Sequence, residues 1–430
     1  MRGGAVTRPD PGFTTDQVRT VAAAVADRII DWTWPAVMRA VAAELPEEIC
    51  VDVAQEAFAV APHEPPHLAE VFRLALSRWT LPEPPIPRAV ELPGPTPVTD
   101  LPYGLPPLHD VAQFAAWLDF TPAELEWFAD RGTWLRTANP RLRHYRVFRR
   151  EKRQGVRVIE APKPRMRETQ RRLLRRLVSR IPAHPAARGF EPGSSTAAFA
   201  WPHSDRPTVL RLDLEHCFES IGAGRVRRIF DDVGYPAHIA RLLAELCTTS
   251  TPADQLGGID LTHAALLRRR HLPQGAPTSP HLANLALARL DRRIDGYARA
   301  NRLNYTRYGD DLALSGDDID HGRALWTVRR IVSDCGFVVH PDKVRVMHRH
   351  QQQRLAGLVV NDRPEVSRED YDNLRALLHN AARSGARSQN LQGHNNFRDH
   401  VYGLIAWVGA TGHERRRRLL DMADRVDWSR

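Results

Sequence analysis

The first stretch of the chain is patterned for helices. Val18, Val21, Ala22, Val25, Ile29 and Ile30 recur at i, i+3, i+4 and i+7 spacing behind Thr14-Thr15-Asp16, a run able to cap a first turn. Trp32, Trp34, Val37 and Val41 open a second amphipathic stretch and residues 68–76 a further one, so residues 14–79 read as helical. The pattern then breaks. Residues 82–107 hold ten prolines, which predicts an extended linker or a strap across another surface. Residues 109–118 read as a short amphipathic helix. Thr121-Pro122-Ala123-Glu124 predicts another helix start, with a capping hydroxyl, a proline at the first helical position and an acidic first turn. From residue 141 the period falls toward two. Residues 144–150 and 156–159 predict two strands about a turn at Gln154-Gly155, and a basic helix follows over residues 165–180. Residues 208–213 alternate as a strand, and residues 282–294 read as a helix. Helices and antiparallel strands together predict an α+β fold. No internal repeat is visible.

Length and composition bound the answer. A chain of 430 residues with an ordinary apolar share of 42% buries one large core or a few smaller ones. No run approaches the roughly 20 apolar residues of a membrane span. The opening residues carry no apolar leader segment, so no secretory signal is expected. Cys50, Cys217, Cys247 and Cys335 are too dispersed for a zinc knuckle or a disulfide framework, which points to a reducing, cytoplasmic compartment. Nineteen histidines lie without metal-ligand spacing, so no zinc is expected.

Charge changes the picture once it is divided. Residues 1–130 carry 8 Lys/Arg against 19 Asp/Glu, and the remainder carries the compensating excess of positive charge. Residues 141–180 alone hold sixteen Lys/Arg and three Asp/Glu. Concentrated positive charge attracts phosphate backbones by counterion release. On the basic helix Arg172, Arg175, Arg176 and Arg180 can share one face while Leu173, Leu174, Leu177 and Val178 turn to a core. That face is either solvated or a phosphate contact, and an imbalance this large favours phosphate.

Three segments carry chemistry. Thr208 to Ile221 begins as an apolar alternating strand and delivers Asp213 at its end. Leu303 to Gly316 sets two alternating runs around Gly309-Asp310-Asp311, which reads as a β-hairpin with acids at its turn. Leu272-Pro273-Gln274-Gly275 opens a turn-rich stretch. Two divalent ions can stabilise phosphoryl transfer from a nucleoside triphosphate, and Mg²⁺ prefers hard oxygen ligands, which carboxylates on a strand end and a hairpin turn supply rigidly. Neighbours on a strand point to opposite sides, and a tight turn lets at least one of Asp310 and Asp311 face Asp213. Asp231-Asp232 and Asp317-Asp318 lack that setting and read as loop or cap acids.

At these residues the sequence resembles the reverse transcriptase family, from about residue 108 onward. Tyr308-Gly309-Asp310-Asp311 resembles the Tyr-X-Asp-Asp box, Leu210 to Ile221 the first palm motif, and Leu272-Pro-Gln-Gly275 the template-side motif. Closer still, the chain resembles a bacterial retron polymerase of the extended myxobacterial kind. Ile159 to Gln170 resembles the retron fingers segment, and Arg188-Gly-Phe-Glu-Pro-Gly193-Ser the segment preceding the first palm aspartate. Ala200-Trp-Pro-His203 resembles a further retron element, with Phe199 in place of its Asn. Leu355-Ala356-Gly357 stands where retrons show Val-Thr-Gly.

The resemblance implies a right-hand polymerase: a helical acidic region over 1–81, a linker over 82–107, fingers over 108–207, a palm with fingers insertions over 208–357 and a thumb over 358–430. It implies that Asp213, Asp310 and Asp311, with the Leu214 carbonyl, hold two Mg²⁺ ions, for which Mn²⁺ can substitute. By the same resemblance Phe218 excludes the ribose 2′-hydroxyl, and Gln274, Gly275 and Tyr308 lie at the incoming nucleotide. Arg157 clamps the triphosphate with Lys163 as a second candidate, and Lys343 protonates pyrophosphate. His203 reads instead as a buried, hydrogen-bonded residue. Implied partners are a structured non-coding RNA as template and primer, dNTPs, a DNA product and an effector protein in anti-phage defence, with no membrane.

Two other readings stay open on the sequence. One is another bacterial reverse transcriptase, such as a group II intron maturase or a non-retron defence polymerase; the 73 residues after Gly357 suffice for a thumb but not for an added DNA-binding domain and endonuclease. The other is a silent RNA-binding scaffold, which would not need three carboxylates held together against their repulsion. The acidic N-terminal region would repel phosphates and is expected to dock a partner protein, or else to mask the basic groove.

Overall fold

The structure, a computed structural model, describes residues 15–29, 31–45, 47–76, 101–151 and 155–429. Thr14, Ile30, Gln154 and residues 82–100 of the proline-rich stretch lie outside the described residues. The chain divides into two compact units, residues 1–96 and 97–430.

Among its described residues the first unit holds four helices: α1 (Thr15–Arg28), α2 (Trp34–Ala42), α3 (Glu47–Val60) and α4 (Leu68–Leu76). Its core is made of small apolar residues, among them Val25, Val37, Val41, Val53 and Ala57, closed by Phe72 and Leu76. Trp32 sits on Phe58 at 4.7 Å, and its indole donates to the Ala61 carbonyl at 3.1 Å.

The second unit opens with α5 (Val111–Trp117) and α6 (Pro122–Ala129). Asp110 caps α5 through the Gln113 amide. Thr121 caps α6 as the sequence predicts, and with Glu124 the cap is reciprocal, each side chain accepting from the other's backbone. The hairpin β1 (Tyr145–Glu151) and β2 (Val156–Pro162) leads into α7 (Pro164–Arg176). Short α8 (Thr196–Ala200) precedes β3 (Thr208–Asp213), after which α9 (Ala223–Asp232), α10 (Ala237–Cys247) and α11 (Leu261–Arg268) form an insertion. The helix expected over 282–294 is two, α12 (Ser279–Ala286) and α13 (Ala288–Ala300), meeting at Leu287. Then follow β4 (Asn304–Tyr308), β5 (Asp311–Gly316), α14 (His321–Asp334) and β6 (Arg345–His348). A small sheet of β7 (Arg354–Leu355), β8 (Leu358–Val359) and β9 (Glu365–Val366) leads to α15 (Arg368–Ser384), α16 (Phe397–Gly409) and α17 (His413–Ala423).

The central sheet runs β4-β5-β3-β6, all antiparallel. Both of its faces are covered, which explains its nearly unbroken apolar runs. Leu210, Leu212, Leu312 and Leu314 enter the main core with α9, α10, α12 and α13. Val209 and Ala313 point the other way, into a core shared with α8 and with α15 to α17. Leu101, Leu105 and Leu108 belong to the main core or pack on it, so the end of the proline-rich stretch is part of the second unit. No helix among the described residues is long and apolar enough to cross a membrane.

Candidate active site

β3 and β5 bring the acids together. Asp213 ends β3, and its cross-strand partner is Asp311, the first residue of β5. Pairing of Tyr308 with Asp311 leaves Gly309 and Asp310 as a two-residue hairpin turn. Gly309 has φ +63°, the conformation that glycine supplies at the first position of such a turn. The Leu214 amide donates to the Asp310 carbonyl at 2.9 Å, which ties the turn to the end of β3.

Two cations restrain the acids. The Lys343 ammonium lies 2.6 Å from Asp213 Oδ1. Arg211, two residues before Asp213 and so on the same face of β3, donates to both oxygens of Asp311 at 2.8 and 3.0 Å. Asp310 makes no such ion pair among the described residues, and Lys343 offsets only part of its charge. Burial, with the facing carboxylates of Asp213 and Asp311, pushes its carboxyl up to about 6. Burial also raises the Asp311 carboxyl, and Arg211 offsets part of that rise. The donors are all hard oxygens, and burial beside two other carboxylates drives Asp310 toward protonation. That combination fits a hard divalent cation, with Asp213, Asp310 and the Leu214 carbonyl as its natural holders.

One cleft is lined by Asp213, Leu214, Asp310 and Lys343 together with Arg157, Phe218 and Gln274. Arg157 is exposed on β2. Phe218 is only partly buried, and its ring meets Phe190 edge-on at 6.5 Å. Gln274 gives its carbonyl to the Glu160 amide at 2.9 Å, while its side-chain Oε1 is buried with no hydrogen-bond partner. Gly275 faces a second hollow with Phe218, Arg167 and Arg171. It has φ +132°, and an added Cβ would stand 3.1 Å from the Glu160 carbonyl, so the chain there admits only glycine comfortably.

Three expected residues lie away from the cleft lining: Asp311, which Arg211 holds, Lys163 and Tyr308. Lys163 donates to the Pro140 and Arg141 carbonyls at 3.0 and 2.8 Å and braces the loop before β1. The Tyr308 ring stands between Phe190 and Phe199, at 6.0 and 5.8 Å. His203 is fully buried between Ser315 and Thr306, each at 2.8 Å, and burial pushes its pKa down to about 3. The Arg face expected on α7 is partly occupied: Arg172 pairs with Asp119, and Arg175 with Glu168 at 3.0 Å. Arg167 and Arg171, on an adjacent face, are the ones that reach the hollow beside the cleft.

Sequence reading missed the frame that holds the turn. Arg307, 1% exposed at its side chain, binds both oxygens of Asp291 at 2.7 and 2.8 Å. Its remaining nitrogen donates to Asn284 Oδ1 and to the Gly309 carbonyl at 2.9 and 3.0 Å. Asn284 in turn donates to the Gly189 carbonyl at 2.7 Å. Gly189 packs so closely beneath the turn that an added Cβ would lie 3.0 Å from the Gly309 nitrogen. A further buried pair, His271 with Glu160 at 2.8 Å, joins β2 to the Gln274 loop. Burial opposes the imidazolium, but Glu160 and the Arg269 carbonyl outweigh it and hold His271 above its ordinary value.

A family model described as Reverse transcriptase (RNA-dependent DNA polymerase) matches residues 149–367. The retron Mx65 reverse transcriptase of Myxococcus xanthus is 41% identical over 322 residues, 74% of this chain and 72% of that protein. The retron Mx162 reverse transcriptase of the same organism is 35% identical over 339 residues, 74% of this chain and 67% of that one. The retron Ec86 reverse transcriptase of Escherichia coli is 29% identical over 293 residues, covering 68% and 83%.

Proposed function

The chain belongs to the reverse transcriptase family, the RNA-dependent DNA polymerases, and is of retron type; from that premise we propose that it copies one dedicated structured non-coding RNA into single-stranded DNA joined to that RNA, in anti-phage defence. The observation that carries the site is the meeting of Asp213 and Asp310 in one cleft with Arg157, Phe218, Gln274 and Lys343. On this reading the sheet β4-β5-β3-β6 is the palm, β1, β2 and α7 belong to the fingers, and α15 to α17 form the thumb.

Asp213, Asp310 and the Leu214 carbonyl would hold Mg²⁺, and Asp311 would join them as Arg211 turns aside; two such ions, or Mn²⁺ in their place, stabilise the charge on the transferring phosphoryl group. The chain's own residues do the positioning. Arg157 offers a planar fork to the triphosphate. Gln274 Oε1, with no partner of its own, is free for the incoming nucleotide. Lys343 neutralises Asp213 in the resting site and stands ready to give its Nζ proton to pyrophosphate. The helical unit of residues 1–96 is acidic and suits a protein partner, such as an effector, better than a phosphate backbone. The four cysteines are all buried thiols outside any disulfide, which suits the cytoplasm.

The test of the retron reading is to sequence the nucleic acid that copurifies with the expressed protein. A single structured RNA covalently joined to its own DNA copy is expected; a mixture of unrelated RNAs would remove the retron assignment.

Phe218 yields a second expectation. It lines both hollows beside Asp213, where a bulky ring would meet a ribose 2′-hydroxyl. Phe218→Ala should raise the ratio of rNTP to dNTP incorporation by about 100-fold, equivalent to roughly 2–3 kcal/mol of lost discrimination. An unchanged ratio with intact dNTP use would make Phe218 a packing residue only.

A further inference from the structure

A second cluster of ligating side chains lies on the wall of the same cleft, apart from the three aspartates. His216 and Glu219 stand on the loop after β3, and His263 on α11. Ligand atoms from all three lie within 4.8 Å of one another. The His216 and His263 rings stack at 3.9 Å, and His263 Nε2 is 3.7 Å from Glu219 Oε1.

Two features separate this cluster from an ordinary polar patch. His263 is 3% exposed and Glu219 7%, so both have left water. Yet His263 Nε2 has no hydrogen-bond partner, and a buried ring nitrogen left without one is costly. It is aimed at Glu219, and both residues line the cleft. On the other side of the ring, Asp260 caps α11 by accepting from the His263 backbone amide at 2.8 Å, and its Oδ2 lies 4.0 Å from Nδ1, a charge contact and not a hydrogen bond.

We propose that His216, Glu219 and His263 form a binding site for one divalent transition ion of the zinc class, distinct from the Mg²⁺ site at the aspartates. Two imidazoles and a carboxylate select Zn²⁺ and its neighbours over Mg²⁺, which takes oxygen ligands. With Zn–N near 2.0–2.1 Å, tetrahedral ligand atoms stand about 3.4 Å apart. The His263–Glu219 gap of 3.7 Å is close to that already, and His216, partly exposed on its loop, is the ligand free to turn inward. Three protein ligands leave a position open toward the cleft. Bound there, the ion ties the loop that follows Asp213 to the α9–α11 insertion. Sequence spacing does not reveal the site because only the fold brings α11 to that loop.

The test uses the full chain, stripped of metal with a chelator and titrated with Co²⁺ as a spectroscopic stand-in for Zn²⁺. One equivalent with the visible absorption of a four-coordinate ion is expected. Zn²⁺ should displace it and raise the melting temperature. Asp310→Asn should keep the species. His263→Ala and His216→Ala should each weaken binding by at least about 100-fold. His216 is on a partly exposed loop, so its variant remains informative if His263→Ala fails to fold. Absence of a stoichiometric Co²⁺ species, its persistence in folded His216→Ala, or its loss in Asp310→Asn would each overturn the proposal.

Discussion

Asp310→Asn should abolish DNA synthesis and at the same time make the metal-free protein more stable at neutral pH. The two effects share one cause. Asp310 has a carboxyl pushed up to about 6 by burial and by two neighbouring carboxylates. The folded protein therefore binds that proton more tightly than the unfolded chain does, and stability falls as pH rises from about 4 through 6. Above that window the full penalty is present, up to about 3 kcal/mol for a shift of this size. An amide escapes it. Thermal melts without divalent ions should show the variant above wild type at pH 7.5, with the gain vanishing below about pH 4. Mg²⁺ should then stabilise wild type much more than the variant, because a ligand that binds only the native state raises its stability. The catalytic loss should exceed about 10³-fold, the scale of several kcal/mol of lost charge stabilisation, which leaves no detectable synthesis. A variant no more stable than wild type at pH 7.5 would mean that the acids do not repel one another as described.

Loss of the Arg307 side chain should be the most destabilising single change in the second unit. Arg307→Met leaves Asp291 charged and buried without its partner and removes the donor to the Gly309 carbonyl. Breaking a buried pair in this way costs about 3–5 kcal/mol. Denaturant unfolding of the nucleic-acid-free protein reads it directly. Arg307→Lys separates charge from geometry. An ammonium restores the charge but cannot serve two oxygens of Asp291, Asn284 and Gly309 at once. That variant should recover part of the stability while kcat stays depressed, because the turn carrying Asp310 is no longer held. A loss below about 1 kcal/mol in Arg307→Met, or normal kcat in a folded Arg307→Lys, would show that the turn is positioned by something else.

The parts of this molecule that sequence reading reached are those written in local patterns. The helix start at Thr121, the strand ending at Asp213 and the hairpin around Gly309-Asp310 all depend on residues a few positions apart. The join at Leu287 was hidden because the apolar spacing runs through it without a break. Arg307 was hidden for a different reason. A charged residue in an apolar strand is uninformative until its partner is known, and that partner, Asp291, sits on a separate helix. A signal did exist there: Asp291 lies on the same face of α13 as Leu290, Ile294 and Ala298, where an unpaired acid would not be tolerated. The division of labour on α7 was equally out of reach, since Arg172 finds Asp119 only through the packing of the preceding helices.

The most direct measurement is single-nucleotide extension of a DNA primer on an RNA template by the purified protein. In the presence of Mg²⁺ the wild-type chain should add only the dNTP that the template specifies. Chelation of the metal should stop the reaction, and Asp310→Asn should lack it while binding the primed RNA with unchanged affinity. Template-directed addition that persists in Asp310→Asn, or none by the wild-type protein on any primed RNA, would contradict the assignment of the cleft as the polymerase site.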